Sequence, residues 1–331
     1  MVGAVARRRR RRGPARAVRA PPVTAPPDDV WLRPLAKRLR REPRITAREP
    51  LAGGYGSAAV ERVDLDDGSS VVLKAAGPDE VAALRAAAVV NGPVRVPRML
   101  AHGDGWLVLA HEPGAPLPAG TPVPDDAWRS LALVHAHWRR NRPRGVPVVD
   151  RTWWGRLCGL ASVGLQAAAA RAGTDGAAYA EADAAVRSWA ADDRVATALA
   201  ALPRTLCHGD AHRGNIHIGP DGAVLLDWGN ARVAPGSLDV VVLAAPPPDG
   251  PADAPGAPVP ASYRETLHDA LGAADPPAMI AVEEAWARVQ AHVQYLPFAA
   301  DHQGPDRLAS MARVAGAALD ELGDLLVAAR R

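Results

Sequence analysis

Residues 207–230, CHGDAHRGNIHIGPDGAVLLDWGN, contain side chains whose types and spacing allow them to do chemistry together. Asp210 is followed five positions later by Asn215, and Asp227 lies twelve positions beyond Asn215. Carboxylate and amide oxygens suit a hard cation such as Mg²⁺, which proteins usually hold with one or two carboxylates plus substrate phosphates. A neighbouring carboxylate that does not bind the metal can accept a proton from a hydroxyl group. The residue types therefore suit a reaction between a phosphate group and a hydroxyl.

A β-hairpin is expected in the middle of this run. The tetrapeptide GPDG at 219–222 is a two-residue turn with glycine on both sides, flanked by the strand-like segments IHI and AVLL. If the two glycines are its corners, the register places Gly214 opposite Asp227. Opposed residues of paired strands lie about 5 Å apart, so Asn215 and Asp227 should lie side by side at the open end, with Asp210 in the preceding loop.

The same spacing resembles a known pattern. Protein kinases place an Asp in the catalytic loop, an Asn five residues later, and then an Asp-Phe-Gly sequence whose Asp binds metal. The matching residues in this chain are His-Gly-Asp at 208–210, then Asn215, then Asp-Trp-Gly at 227–229. The glycine after the histidine and the short interval to the second motif resemble the aminoglycoside phosphotransferase and choline kinase family of kinase-like proteins more than the protein kinases.

This resemblance implies roles for five residues. Asp210 would be the catalytic base, and Asn215 and Asp227 would hold Mg²⁺. His208 would organise the catalytic loop. Asp239, in SLDVVVL, matches a further family Asp that braces that loop.

A nucleotide-binding segment is expected nearer the N-terminus. LAGGYGSAAV at 51–60 offers Gly53, Gly54, Gly56 and Ser57, whose small side chains would let backbone N–H groups approach phosphates. The stretch matches neither GxGxxG nor the Walker A pattern, and glycine clusters usually only turn a hairpin. By itself it is a weak signal for a phosphate-binding loop.

Lys74 ends the apolar strand SVVLK in a chain that has one other lysine, Lys37, among its 39 basic residues. A compact ammonium can reach between phosphates where a planar guanidinium fits less well. Glu80 starts the next helical pattern and would pair with Lys74 as the kinase lysine and helix glutamate do, although the helix dipole alone also favours an acid there. LVLAHEPG resembles the family's lobe-connecting hinge, whose backbone around Ala110 and His111 would contact adenine.

The hydrophobic patterns predict a small lobe with an antiparallel sheet and one helix, followed by a larger and mostly helical lobe. With the resemblance, this is an α+β, bilobal, protein-kinase-like fold. We expect a nucleotide-binding lobe at 28–112 and a catalytic and substrate-binding lobe at 113–331. Helical patterns in the second lobe start with one that Asp125 or Asp126 would cap and recur at roughly 175–201, 261–272, 278–295 and 305–330.

Residues 1–27 are predicted to be a disordered Arg- and Pro-rich tail, since eight arginines and no acid fall within the first 20 residues. A solvated tail or an overextended start site is favoured over a nucleic-acid or membrane contact, and nothing else in the chain indicates nucleic-acid binding. The tail lacks the apolar stretch of a secretory signal, and no segment reaches the 18 or so apolar residues of a membrane span. Cys158 and Cys207 have no CxxC spacing, which fits a reducing cytoplasm.

The favoured function is an ATP- and Mg²⁺-dependent kinase that transfers the γ-phosphate to a hydroxyl of a small molecule. The acceptor stays open between an aminoglycoside-like antibiotic and a metabolite, and the sequence indicates no oligomeric state. A cationic acceptor would be attracted by acidic residues of the later helices, namely Glu265, Asp269, Glu283, Glu284, Asp301 and Asp306.

Two other functions compete with this one. The first is a catalytically silent kinase-like protein that binds a nucleotide or a partner. The second is a metal hydrolase in which His208, Asp210 and His212 bind zinc, a set that lacks a further His group and leaves Lys74 unexplained.

Several remaining residues are assigned more ordinary roles. The pairs His135 and His137, and His212 and His217, are expected to be structural or solvent-facing, and Trp153 or Trp154 would line an acceptor pocket. Asn230 departs from the family pattern, because many members carry a carboxylate at or beside the preceding glycine.

Overall fold

The computed structural model of the chain describes residues 26–51, 60–118, 120–173, 176–246, 254 and 256–329. Most of the predicted tail at 1–27 lies outside the described residues. So do Gly53, Gly54, Gly56 and Ser57 of the expected phosphate-binding loop. In the described parts of the chain, no helix has both the length and the apolar character that crossing a membrane requires.

In its described residues, 28–51 and 60–110, the N-terminal lobe is a five-stranded antiparallel sheet with two helices. Helix α1 (Asp28–Leu39) buries Trp31 and Leu35 completely in the apolar core beneath the sheet. Helix α2 (Pro78–Ala88) follows the third strand and starts with proline, whose fixed φ suits a first helical turn. The strands are β1 (Ile45–Pro50), β2 (Val60–Leu65), β3 (Ser70–Ala75), β4 (Met99–Gly103) and β5 (Trp106–Ala110), in the order β1-β2-β3-β5-β4.

The described part of the C-terminal lobe, within residues 115–328, is mostly helical and contains two small antiparallel sheets. Its helices are α3 (Asp125–Trp138), α4 (Arg151–Ala172), α5 (Ala177–Trp189), α6 (Asp193–Ala201), α7 (Ser237–Leu243), α8 (Ala261–Leu271), α9 (Pro277–His302) and α10 (Gly304–Ala328). Its strands are β6 (Ala115–Pro116), β7 (Thr205–Cys207), β8 (Ile216–Gly219), β9 (Gly222–Leu225) and β10 (Arg232–Ala234), which form the sheets β6-β8-β9 and β10-β7.

Three details of the C-terminal lobe differ from the sequence-based expectations. The segment 175–201 forms two helices, because the Asp192 carboxylate accepts a hydrogen bond from Arg194 N and starts α6 as a new helix. Helix α4 is absent from the predicted set, since three glycines interrupt its pattern. Helix α3 is preceded by Pro124 and has no side-chain cap, so Asp125 and Asp126 lie in its first turn instead of capping it.

An apolar cluster shared by the two lobes fixes the hairpin of β8 and β9 in place. Trp228, just after the hairpin, is fully buried in this cluster together with Val81 and Leu84 of α2 and Leu225 of β9. The N–H of Leu225 also donates to the carbonyl of Arg95 in the N-terminal lobe, at 3.3 Å. The hairpin therefore rests directly against the helix that follows β3.

Helices α4 and α9 approach each other closely at a glycine of α4. A Cβ atom on Gly164 would lie 2.9 Å from the Cβ of Pro297, well inside the optimal separation of carbon atoms. A Cβ on Gly159, one and a half turns earlier in the same helix, would meet nothing within 4 Å. The two glycines therefore differ in packing and share the same backbone conformation.

We expect Gly164→Ala to lower the free energy of unfolding by about 1 kcal/mol, because overpacking against Pro297 outweighs the gain in helix propensity. Gly159→Ala is the matched control and should raise it by about 0.5–1 kcal/mol, because alanine favours the helix and enters open space. Urea unfolding followed by circular dichroism measures both changes. Equal shifts for the two variants would contradict the α4–α9 contact.

Candidate active site

The hairpin has the register that its two corner glycines predict. Gly219 pairs with Gly222 and Ile216 with Leu225, and the pairing continues to the open end, where Leu226 N donates to the carbonyl of Asn215 at 2.8 Å. Asn215 and the segment that leads into Asp227 are therefore neighbours, as expected from the sequence.

Asp227 leaves the hairpin through a left-handed backbone conformation. Its φ is 57° and its ψ is 71°, a region that aspartate tolerates better than most non-glycine residues. A short 3₁₀ turn, Trp228–Asn230, follows and leads into β10. The conformation turns the chain sharply between the buried β9 strand and the buried Trp228, and the Asp227 side chain stays half exposed.

Lys74 joins the two lobes by the ion pairs that the sequence predicts. Its Nζ atom lies 2.8 Å from Oε1 of Glu80 and 2.9 Å from Oδ1 of Asp227. Lys74 comes from β3 and Glu80 from the first turn of α2, whereas Asp227 comes from the hairpin of the other lobe. One ammonium group thus contacts carboxylates from both sides of the cleft.

The charges of these three groups depend on one another. Burial alone would lower the pKa of Lys74, but the adjacent Glu80 and Asp227 carboxylates hold that pKa above its ordinary value. Burial alone would raise the pKa of Asp227, but the adjacent Lys74 holds that pKa below its ordinary value. Burial raises the pKa of Glu80, the more buried carboxylate, in spite of Lys74. Asp227 is therefore ionised at neutral pH, as a metal ligand must be.

The loop after β7 carries Asp210 and is braced by Asp239 of α7. The Asp239 Oδ2 atom accepts a hydrogen bond from His208 N at 2.6 Å, and its Oδ1 atom accepts one from Gly209 N at 2.8 Å. Asp239 is completely buried. A single carboxylate thus fixes two successive amides immediately before Asp210.

His135 of α3 completes this brace, whereas the sequence predicts only a packing or surface role for it. It is buried, with its Nε2 atom 3.1 Å from Asp239 Oδ2 and its Nδ1 atom 2.9 Å from the hydroxyl of Tyr263. Burial acts to raise the pKa of Asp239, but His135 and the amide of Gly209 lower it below its ordinary value. The signal available in the sequence was that His135 lies on the apolar stripe of α3.

His208 links the catalytic loop to the hairpin. It is fully buried, its Nε2 atom donates to the carbonyl of Leu226 at 2.7 Å, and its ring lies 4.8 Å from that of Trp228 between centroids. The carbonyl that it contacts belongs to the residue directly before Asp227. This contact supports a role for His208 in organising the loop and not in accepting a proton.

Gly209 occupies a position that no other residue fits. Its φ is +77°, and a Cβ atom there would lie 2.0 Å from the carbonyl oxygen of Asn230 and 2.6 Å from Nε of Arg232. Arg232 is buried and donates to the carbonyls of Gly209 and Asn230 at 3.2 and 2.8 Å. The glycine of the His-Gly-Asp motif therefore lets the loop pack directly on the segment after Asp227.

Neutral groups make the hydrogen bonds of the Asp210 side chain. The Tyr295 hydroxyl of α9 donates to Oδ1 of Asp210, and Asn230 Nδ2 donates to Oδ2 at 3.1 Å. The backbone carbonyl of Asp210 accepts from Nδ2 of Asn215 at 2.9 Å. The sequence patterns do not predict a role for Tyr295, whereas Asn230 differs from the family pattern in the sequence itself. A carboxylate at position 230 would place a second negative charge beside Asp210.

The backbone N–H groups at the expected hinge already have acceptors. The N–H of Ala110 donates to the carbonyl of Arg98 at 2.8 Å, and that of His111 donates to the carbonyl of Ser70 at 3.2 Å. Both amides are therefore used within the N-terminal sheet and cannot donate to an adenine unless these bonds break. Their positions at the exit of β5 agree with a lobe-connecting segment.

Two residues of the acidic set that is expected to attract a cation already have partners. Glu283 is buried and accepts a hydrogen bond from Ser237 N at 2.9 Å, and Asp301 pairs with Arg171. Trp154 is buried in the core, where its Nε1 atom donates to the carbonyl of Trp189, so it does not line a pocket. Its neighbour Trp153 stacks on the guanidinium of Arg232, with the carbon 4.8 Å from the ring centroid.

Asn215 and Asp227 fit a magnesium ion by the chemistry of their donor atoms. Because Nδ2 of Asn215 is held by the Asp210 carbonyl, the Oδ1 atom is the side that it can offer. Asp227 keeps a second oxygen and a half-exposed side chain beside its contact with Lys74. Two oxygen donors of this kind, completed by phosphates and water, are the usual protein share of a Mg²⁺ site.

The histidine clusters fit a metal less well. His208 is turned to the Leu226 carbonyl, and His212 uses Nδ1 to accept a hydrogen bond from Gly214 N, so the zinc set proposed with Asp210 does not converge. Among the described residues, His135, Cys207 and Asp239 do come together in the interior. Both ring nitrogens of His135 and both carboxylate oxygens of Asp239 are already hydrogen-bonded there, and the Cys207 thiol donates to the carbonyl of Ala234. This group is therefore an internal hydrogen-bond network.

Gly209→Ala should strongly lower the midpoint of thermal unfolding, because the new Cβ would overlap the Asn230 carbonyl. Gly272→Ala is the matched control, since Gly272 has a left-handed conformation with a φ of +70° and open space around its Cβ position. The control should lose only the free energy of unfolding that a left-handed conformation costs an alanine, about 1–2 kcal/mol. Thermal unfolding of both variants measures the difference. If the two variants lose the same stability, the loop does not pack as described.

Asp239→Asn should destabilise the protein by roughly 3 kcal/mol, because one amide oxygen cannot replace a carboxylate that accepts from two buried N–H groups. The folded-state pKa of Asp239 lies below its unfolded value of about 3.9. Its stabilising contribution is therefore complete above that value and is lost as the pH falls through the folded-state pKa. Thermal unfolding midpoints should fall more steeply for the wild type than for the variant as the pH is lowered from about 5 to about 2. Parallel curves would argue against the brace.

The sequence and the fold are similar to known proteins. The model of the phosphotransferase enzyme family (APH) matches residues 47–282. No curated protein sequence matches the chain.

Three solved structures share the fold at low sequence identity. A choline kinase from Cryptosporidium parvum has a TM-score of 0.54 at 7% identity, covering 86% of this chain and 88% of that one. A proposed fructosamine-3-kinase from Thermobifida fusca has a TM-score of 0.53 at 18% identity, with coverage of 87% and 98%. A proposed aminoglycoside phosphotransferase from Ralstonia eutropha has a TM-score of 0.51 at 14% identity, with coverage of 85% and 93%.

These comparisons confirm the bilobal kinase-like fold and the resemblance that the motifs carry. Together they support a small-molecule phosphotransferase. Because the family model spans more than half of the sequence, the chain belongs to the phosphotransferase enzyme family.

Proposed function

We propose that this protein is an ATP-dependent kinase that uses Mg²⁺ and transfers the γ-phosphate to a hydroxyl of a small molecule. The observation that carries the proposal is the position of Lys74, whose amine lies 2.9 Å from the carboxylate of Asp227 across the cleft. In kinases a lysine of β3 and a metal-binding aspartate contact the same nucleotide from opposite lobes. The proposal starts from membership of the phosphotransferase enzyme family. It adds the identity of the nucleotide, the metal ion and the chemical class of the acceptor.

Lys74 and Glu80 would prepare the site for the nucleotide. The Lys74 ammonium, held by Glu80 at 2.8 Å, is a preoriented donor for phosphate oxygens. Because Glu80 is buried, its ion pair limits the side-chain positions of the lysine before ATP binds. This role agrees with the raised pKa of Lys74, which keeps the amine charged.

Asn215 and Asp227 would hold Mg²⁺, and the bound ion would neutralise negative charge on the phosphates. Asp210 would take the proton of the acceptor hydroxyl as that oxygen bonds to the γ-phosphorus. Its carboxylate lies at the end of a loop whose two preceding amides are fixed by Asp239. Such fixed positions favour catalysis, because phosphoryl transfer depends mainly on positioning and electrostatic stabilisation.

The acceptor is proposed only as a hydroxyl-bearing small molecule, either an antibiotic or a metabolite. The solved structures with the same fold are named for acceptors as different as choline and aminoglycosides. The electrostatic argument for a cationic acceptor is weaker than it was from the sequence, because Glu283 and Asp301 already have partners. A cytoplasmic location remains part of the proposal and agrees with the free thiols of Cys158 and Cys207.

An acceptor screen with ATP and Mg²⁺ tests the proposal. Aminoglycosides, amino alcohols and sugar amines would be incubated with the full chain, and ADP release and phosphorylated products would be measured. Asp210→Asn should lower turnover about 10²–10⁴-fold, because it removes the general base, and should leave nucleotide binding intact.

Asp221→Asn is the matched control at the tip of the same hairpin. Its carboxylate is 79% exposed and lies 3.7 Å from Arg95, so turnover should equal that of the wild type. Equal turnover of Asp210→Asn and wild type would refute the kinase mechanism. Nucleotide binding without any phosphorylated acceptor would favour a catalytically silent binding protein.

A further inference from the structure

The Asp210 carboxylate already has a hydrogen-bond donor on each oxygen. Tyr295 donates its hydroxyl to Oδ1, and Asn230 donates its amide to Oδ2 at 3.1 Å. Only 17% of the Asp210 side chain is exposed. A general base must lie within hydrogen-bond distance of the proton that it removes. The Tyr295 hydroxyl therefore occupies one of the positions from which an acceptor hydroxyl could donate to Oδ1 of Asp210.

Tyr295 is held in this position by its own helix. The next residue towards the N-terminus of α9, Gln294, donates from Nε2 to the carbonyl of Gly209 at 2.9 Å and accepts from Arg232 Nη1 at 3.1 Å. Arg232 donates to the same Gly209 carbonyl. Helix α9 is thus docked on the residue directly before Asp210, and the tyrosine contact is built into that docking.

The phenol acts as a donor and not as a second base. Burial, together with the negative charge of Asp210, raises the pKa of Tyr295 well above its ordinary value. The hydroxyl is therefore protonated across the physiological range. Like an acceptor alcohol, it presents an O–H group to the carboxylate, but its oxygen is tied to a helix of the core.

We propose that Tyr295 is an internal occupant of the acceptor-hydroxyl position, which shields Asp210 from water until an acceptor displaces it. The inference rests on the proposed kinase function and adds a residue that selects between acceptors. Water alone, lacking further contacts in the site, does not displace the phenol. A substrate that makes further contacts in the site displaces the phenol, and its hydroxyl then takes the place of the phenol on Asp210.

The reaction that this contact suppresses is hydrolysis of ATP. In that reaction the oxygen of water bonds to the γ-phosphorus, and the bond from that phosphorus to the bridging oxygen of ADP breaks. The proton of water passes to Asp210, and ADP and inorganic phosphate leave. A base that is open to solvent would promote this step in the absence of an acceptor.

The test measures ADP release by the full chain with ATP and Mg²⁺ and without any acceptor. Tyr295→Phe should raise this rate about tenfold or more, the size expected for losing one hydrogen bond to a charged group. The rise should disappear in the double variant Tyr295→Phe with Asp210→Asn, because it depends on the base. Tyr179→Phe is the matched control. It removes a tyrosine hydroxyl from the buried face of α5 and should leave the rate of ADP release unchanged.

The outcomes separate this inference from the proposed function. If wild type hydrolyses ATP slowly through Asp210 and Tyr295→Phe hydrolyses it no faster, the inference is wrong and the kinase proposal stands. A lower rate for Tyr295→Phe would also overturn it, since Tyr295 would then position the base. If the wild type binds no nucleotide in calorimetry, both proposals fail. Tyr295→Met, which fills the space without a hydroxyl, replaces the Phe variant if that variant does not fold.

Discussion

A single ammonium group shared by two carboxylates sets the geometry of the site. Lys74 of β3 contacts Glu80 of α2 and Asp227 at the end of the hairpin, so three elements from two lobes meet at one nitrogen atom. Without the lysine, the buried Glu80 carboxylate and the half-exposed Asp227 carboxylate would repel each other, and each would resist ionisation. The distance between the lobes at this point is therefore fixed by a charge requirement and not by apolar packing alone.

The catalytic loop obeys a different constraint, which is the satisfaction of buried backbone groups. His208 and Gly209 lie in a fully buried segment, and their N–H groups would be costly to leave without acceptors. Asp239 satisfies both amides, while Arg232 satisfies the Gly209 carbonyl from the other side. The loop can thus hold Asp210 at the surface of the cleft, because the buried backbone groups before it all have hydrogen-bond partners.

The sequence predicts those parts of the site that depend on local geometry. The register of the hairpin follows from its two-residue turn, so the meeting of Asn215 and Asp227 could be deduced from chain positions alone. The Lys74–Glu80 pair is also local, because six residues separate the two. His135, Tyr295 and Arg232 could not be found in this way, since the packing of distant helices and strands brings them to the loop. Helix α4 was missed because glycines weaken its pattern while close packing still favours the helix.

The two carboxylates of the site differ in the charge of their partners, and this difference suits their separate tasks. Asp227 contacts a lysine, and a cationic partner favours the ionised form that a metal ligand needs. Asp210 is hydrogen-bonded by a phenol and an amide, which are neutral donors, and Nε2 of His212 lies 3.9 Å from its Oδ1, beyond hydrogen-bond distance. The nearby Arg232 donates its hydrogen bonds to backbone carbonyls and to Gln294. A cation bonded directly to Asp210 would hold its negative charge so firmly that the carboxylate would be a poorer proton acceptor. Neutral donors can be exchanged for a substrate hydroxyl without separating an ion pair, so the same contacts that shield the base also allow it to be released.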